Sequence, residues 1–149
     1  MLRDMTVLRM DNVEINVEDL DAAVDFFTEL GMKLEGRMPI EGSFAERITG
    51  LKGLRTEIAM MRTPDGSGLE LTKWNSPAGI SAEPKVPSPN TLGIGRIMFA
   101  VEDIDDVVAR LRTKGGELMG EIVNYENVHR LCYMRGPEGI IIALAEKIG

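Results

Sequence analysis

Asn12, Glu14 and Asn16 alternate with Val13, Ile15 and Val17. An extended backbone therefore puts three polar groups on one face and three branched apolar groups on the other. The apolar face meets helices, and the polar face, if it is turned inward, needs the partners that a wetted or ligand-filled cleft supplies. Other reactive groups are sparse. His129 is the only histidine; near Tyr133 on the same run, it can act as a general base at neutral pH, or stand exposed or hydrogen-bonded at a strand edge. It cannot make a metal site alone. Trp74 offers a flat ring to stack on a ligand, anchor a dimer or fill the core. The ten methionines, Met60, Met61, Met98, Met119 and Met134 among them, line an adaptable apolar wall or fill the core. Cys132, the single cysteine, excludes an internal disulfide framework and a cysteine-based zinc cluster, and is expected to be buried and inert. Gly93-Ile94-Gly95 is too little for a phosphate loop, and no Walker or Gly-x-Ser-x-Gly pattern exists.

These residues must be positioned by regular elements. The alternation predicts a strand ending at Val17. Asp19 then caps a helix whose Leu20, Ala23, Val24 and Phe27 form an apolar stripe, with Gly31 closing it. Extended chain is expected at Met32 to Arg37, and a loop with a helical turn at Phe44 to Ile48 between Gly42 and Gly53. A strand pair follows at Thr56 to Arg62 and Leu69 to Trp74, joined by Pro64-Asp65-Gly66. The stretch from Asn75 holds Pro77, Pro84, Pro87 and Pro89 and no periodicity, so it reads as a linker or as a flap over one edge. The same order then returns. A strand is expected at Ile94 to Val101, a helix at Asp103 to Lys114, a strand at Glu117 to Val123, and a hairpin from His129 to Glu146 around Pro137-Glu138-Gly139.

The chain's 149 residues suit one domain, and its 44% hydrophobic and 28% charged content is that of a soluble globule. No apolar run reaches the roughly 18 residues of a membrane span, and Met1 to Met5 show no signal core, so a cytoplasmic protein without membrane partners is expected. A net charge of −7 disfavours nucleic acid and leaves neutral or cationic small molecules open.

The chain contains one unit twice. Val17-Glu18-Asp19-Leu20-Asp21 falls on Val101-Glu102-Asp103-Ile104-Asp105, Gly31 and Gly36 on Gly115 and Gly120, and Met61-Arg62-Thr63-Pro64-Asp65-Gly66 on Met134-Arg135-Gly136-Pro137-Glu138-Gly139. Parity in the second copy turns Met98 and Ala100 inward with the first copy's polar face. A strand, a Val-x-Asp-Leu/Ile-Asp turn, a helix ending in glycine and a later Pro-Asp/Glu-Gly hairpin, all repeated, resemble the vicinal oxygen chelate superfamily, the glyoxalase, bleomycin-resistance and extradiol-dioxygenase group. The likeness covers about Asn12 to Glu146. It implies an α+β fold of two βαβββ modules, residues 7–74 and 93–147 around the linker 75–92, whose curled mixed sheets surround a cavity usually completed by a homodimer.

The resemblance also implies four mirrored metal-ligand corners. Here they fall on Asn12, Glu70, Arg96 and Ala143, where the family usually has histidine or glutamate. Only Glu70 keeps a ligand's chemistry, so no metal and no cofactor is expected. Arg96 can pair with Glu70 or grip an anionic or carbonyl oxygen of a ligand. Three functions follow. The first is a metal-free protein holding a cationic or aromatic small molecule, with Asn12, Glu14, Asn16, Trp74, Met98, His129, Tyr133 and Ala143 around it. The second is a lyase, epimerase or dioxygenase of the same superfamily, with Glu70 as base and Arg96 stabilising an oxyanion; Ile48 to Gly53 and Leu69-Glu70-Leu71 look like methylmalonyl-CoA epimerase-type members, whose metal histidines are absent. The third is a scaffold whose cavity an Arg96–Glu70 pair closes.

Overall fold

The computed structural model describes residues 6–149; Met1 to Met5, read above for a leader, lie outside the described residues. The first half runs β1 (Asn12–Asn16), α1 (Leu20–Leu30), β2 (Lys33–Glu41), α2 (Ser43–Thr49), β3 (Arg55–Arg62) and β4 (Gly68–Ser76). The second runs β5 (Ile97–Val101), α3 (Ile104–Arg112), β6 (Glu117–Leu118), β7 (Val123–Tyr125), β8 (His129–Arg135) and β9 (Ile141–Lys147). These strands make two mixed sheets of order β1-β4-β3-β2 and β5-β9-β8-β6, with β7 also on β8. In each sheet the opening strand lies parallel to the last strand of its half and the remaining pairs are antiparallel. Neither sheet closes into a barrel.

Local chemistry sets the helix ends alike in both copies. The Asp19 carboxylate accepts the Ala22 N–H at 3.0 Å, and that of Asp103 accepts the Asp106 N–H at 3.1 Å. Gly31 closes α1 with φ +120°, letting the Met32 N–H return to the Phe27 carbonyl at 3.0 Å. Gly115 does the same after α3, where the Gly116 N–H reaches the Leu111 carbonyl at 2.9 Å.

The apolar stripes of α1 and α3 meet between the sheets in one continuous core. Ile15, Val17, Leu69 and Leu71 enter it from the first sheet, and Cys132, Met134, Ile142 and Leu144 from the second. Phe27, fully buried, lies edge-on to Phe26 with ring centroids 5.2 Å apart and 6.5 Å from Phe99 of β5, so it ties the halves together. Burial also raises the pKa of the Cys132 thiol, which keeps it protonated.

Five boundaries differ from expectation for visible reasons. β2 runs to Glu41 and not only to Arg37, because β3 pairs with it along its length as far as Arg55. Gly42 to Gly53 holds a full helix, α2, closed by Gly50 in the left-handed conformation and braced by the Glu46 carboxylate on the Gly53 N–H at 2.9 Å. β5 begins at Ile97 and not at Ile94, because its parallel partner β9 starts only at Ile141. The strand expected at Glu117 to Val123 is split into β6 and β7 around Gly120, a residue that weakens a strand interior. α3 stops at Arg112, and a turn leads to Gly115. Among the described residues no helix is long and apolar enough to cross a membrane.

Candidate functional site

Parallel pairing of β1 with β4 sets Glu14 beside Glu70 and Asn16 beside Thr72, on the face turned away from the helices. Two like charges stand on neighbouring strands there, and a buried hydroxyl mediates between them. Thr72 Oγ1 donates to Glu14 Oε2 at 2.8 Å and has Glu70 Oε2 within 3.4 Å. Next along the face, Trp74 Nε1–H donates to Asn16 Oδ1 at 2.8 Å, which fixes the indole against β1. Burial pushes the Glu70 carboxyl above the usual carboxylate range; the hydrogen bond and charge of Glu14 push the same way, and Thr72 pulls against them.

That shift has a sign that stability measurements can read. A carboxyl whose folded pKa lies above its unfolded value adds stability below the unfolded value and loses it as pH rises through the folded one. Glu70→Gln removes the titration and keeps the shape. Its Tm relative to wild type is expected to climb as pH rises above the unfolded glutamate value of about 4.3. A Tm difference that stays flat above that value rules out the raised carboxyl.

The second sheet carries a different set on its corresponding face. Tyr133 pairs in register with Ala143, and Ala143 with Met98, while His129 pairs with Lys147 at the far end. Arg96, just before β5, lies with its guanidinium carbon 5.5 Å from the centroid of the Tyr133 ring. The Arg96–Glu70 closing pair is therefore not formed. Glu70 stands beside Glu14 on the first sheet, and Arg96 is held over Tyr133 on the second.

Two cavities lie along the seam between β1 and β5. One of about 400 Å³ is bordered by Glu14, Asn16, Arg96 and Ile141 and roofed by the 80–91 flap, including Ile80 and Lys85. The other, of about 810 Å³, takes in Asn12, Met98 and Ala100 together with Asp65, Phe99 and Arg110. Glu70, Trp74, His129, Tyr133 and Ala143 border neither and sit on the sheet faces. Sequence reasoning passed over Thr72 and Lys85. The β4 alternation of Glu70, Thr72 and Trp74 against Leu69 and Leu71 is the signal that finds Thr72; nothing in the flap singles out Lys85.

The four corner residues supply one carboxylate, one amide, one cation and one methyl group, the same set whether the halves face each other within a chain or across two copies. A divalent ion wants several oxygen or nitrogen donors and is repelled by a guanidinium, so these residues do not fit one. Among the described residues no cluster of three or more His, Cys, Asp or Glu side chains converges anywhere.

The geometry has close counterparts among solved structures. A glyoxalase family protein from Bacillus cereus is 52% identical, with a TM-score of 0.93 and 100% of both chains covered. A glyoxalase/dioxygenase from Nostoc punctiforme is 20% identical at a TM-score of 0.69, covering 99% of this chain and 96% of its own. Leishmania major glyoxalase I is 21% identical at 0.65, covering 94% and 87%; likeness at that identity shows the fold alone. No curated protein matches the sequence significantly. A profile described as Glyoxalase/Bleomycin resistance protein/Dioxygenase superfamily matches residues 9–144. That span takes in both copies of the strand, helix and hairpin unit, and the chain belongs to this superfamily.

Proposed function

We propose that the protein is a metal-free member of its superfamily that binds a small organic molecule in the cavity between its halves, and that it works as a homodimer. The observation that carries the reading is the cavity of about 400 Å³ at the seam, where Glu14, Asn16 and Arg96 stand among apolar side chains. Its size and its mix of apolar wall with a few polar groups are those of a small-molecule site. The corner residues support the metal-free state, since they lack a divalent ion's donors. Half-exposed Met38 and the more exposed Phe44 and Ile48 support the dimer, because a second copy would cover them.

A thermal-shift screen of small organic molecules tests this. A ligand at about ten times its Kd adds about 1.4 kcal/mol, which moves Tm by about 3–6 °C in a chain of this size. Ala82 borders the cavity from the exposed flap, so Ala82→Trp fills the space without touching the core. The shift is expected to vanish in that variant, to survive EDTA, and to accompany a dimeric mass by light scattering. A shift that persists in Ala82→Trp, or that EDTA abolishes, overturns the reading.

A second reading, proton abstraction by Glu70, is favoured by one feature: its raised carboxyl pKa is the direction a general base needs. It requires an Arg96 brought to Glu70 by another copy of the chain. Exchange of solvent deuterium into an α-proton of a bound carbonyl compound by wild type, and not by Glu70→Gln, would support it; equal exchange by both removes it.

A further inference from the structure

We propose that the seam cavity takes a small amphipathic organic anion, a carboxylate with an apolar body, whose head lies between the Arg96 guanidinium and the Lys85 ammonium. The inference rests on the cavity reading above and adds the chemical class of the ligand.

Charge accounting at the rim supplies the argument. Four charged side chains border the cavity, namely Glu14, Glu138, Lys85 and Arg96. Both acids already hold donors. Glu14 accepts from Thr72 Oγ1 at 2.8 Å, and Glu138 Oε2 accepts the Glu18 N–H at 2.9 Å. Neither cation is within ion-pair distance of a carboxylate among the described residues. Glu18, which feels the charge of Lys85, is itself held by Lys73 Nζ at 2.6 Å. The Tyr133 ring steadies Arg96 through its π face and uses none of the five N–H donors, which remain for an oxyanion.

The roof is placed by a backbone contact. Gly139 has φ +73°, and a Cβ there would stand 3.0 Å from the Lys85 carbonyl oxygen. The Lys85 backbone can approach this closely because residue 139 carries no side chain, so the hairpin turn of the second half sets where the flap crosses the cavity. The apolar half of the site is waiting for a cover. Ile80 and Ile94 border the cavity yet are 96% and 86% exposed, beside the better buried Ile97 and Ile141. An apolar ligand body would take these isoleucines out of water.

The test uses the intact protein and three probes of one shape: phenylbutyrate, phenylbutanol and phenylbutylamine. Binding is read by calorimetry and by isoleucine methyl NMR. Phenylbutyrate is expected to bind at least about tenfold more tightly than phenylbutanol, the increment of a charge-assisted contact, and phenylbutylamine is expected to bind most weakly. Arg96→Gln and Lys85→Gln should each remove most of the preference for the carboxylate, and Arg96→Lys should restore part of it. Both positions are exposed, so these variants are expected to keep the wild-type Tm. Equal or tighter binding of the alcohol or amine, or carboxylate binding indifferent to Arg96→Gln, overturns the anion assignment and leaves the cavity reading standing. No perturbation of the Ile80, Ile94 or Ile141 methyls by any probe overturns both.

Discussion

Phe27→Ala is expected to lose about 3–5 kcal/mol of stability, the usual cost of truncating a buried phenylalanine. Total stability for a domain of this kind is about 5–15 kcal/mol, so the loss is a large share of it. The ring has no exposed surface, and its neighbours come from both halves: Phe26 on α1 at 5.2 Å between centroids, and Phe99 on β5 at 6.5 Å. Phe26, one neighbour that would have to shift into the hole, is itself packed closely: a Cβ at Gly116 would stand 3.2 Å from its ring, and one at Gly136 3.4 Å. Urea denaturation should show the full loss, with Tm lower by about 6–20 °C. Leu92 is 97% exposed and borders neither cavity, and Leu92→Ala serves as the control, expected to change stability by no more than about 0.5 kcal/mol. A Phe27→Ala variant within about 1 kcal/mol of wild type would mean that the halves are not joined through this ring.

The sequence states the fold in two independent ways, which is why so much of it could be read. Alternation at Asn12 to Val17 names the inward and outward faces of β1, and the structure puts Ile15 and Val17 in the core accordingly. The Asp19 and Asp103 caps and the glycines after both helices then repeat the same local solution, so each copy supports the reading of the other. Elements set by tertiary context were harder to see. β5 is shortened because β9 has not yet begun beside it, a constraint about forty residues away along the chain and thus invisible to local pattern. α2 rests on a glycine in the left-handed conformation and on the Glu46 to Gly53 contact, neither of which gives a stripe to read.

Of the candidate site, the faces of the strands were legible and the arrangement of the residues was not. Parity put Asn12, Glu14 and Asn16 on one face, but only the β1–β4 register reveals that Glu14 is the neighbour of Glu70 and that Thr72 mediates between them. Parity likewise could not say that Asn12 and Arg96 face different cavities along one seam. The repeat made four corners look like one hollow. Within a chain each sheet pairs only within its own half, so Asn12 and Glu70 go with the first sheet and Arg96 and Ala143 with the second.

That dependence of the site on strand register leads to the other large effect, at Gly68. Gly68 pairs with Asn12 where β1 and β4 first run together. A Cβ there would stand 2.7 Å from the Asp11 carbonyl oxygen and 2.6 Å from an Arg62 guanidinium nitrogen. The arginine can swing away; the carbonyl belongs to the backbone and cannot, unless β1 moves. Gly68→Val is therefore expected to cost about 3 kcal/mol, the upper end for overpacking, and to lower Tm by about 6–12 °C. Gly68→Ala should cost less and remain folded, and it carries the more informative measurement. As β1 is pushed off β4, the Glu14–Thr72 contact of 2.8 Å opens and Glu14 withdraws from Glu70. The Glu70 carboxyl should then return toward the usual carboxylate range, since part of what raises it is Glu14 itself. Carbon-detected NMR titration of the glutamate carboxyls reads this directly. If Gly68→Ala leaves both Tm and the Glu70 titration at their wild-type values, the close approach of β1 to β4 is not what holds the carboxylate pair together.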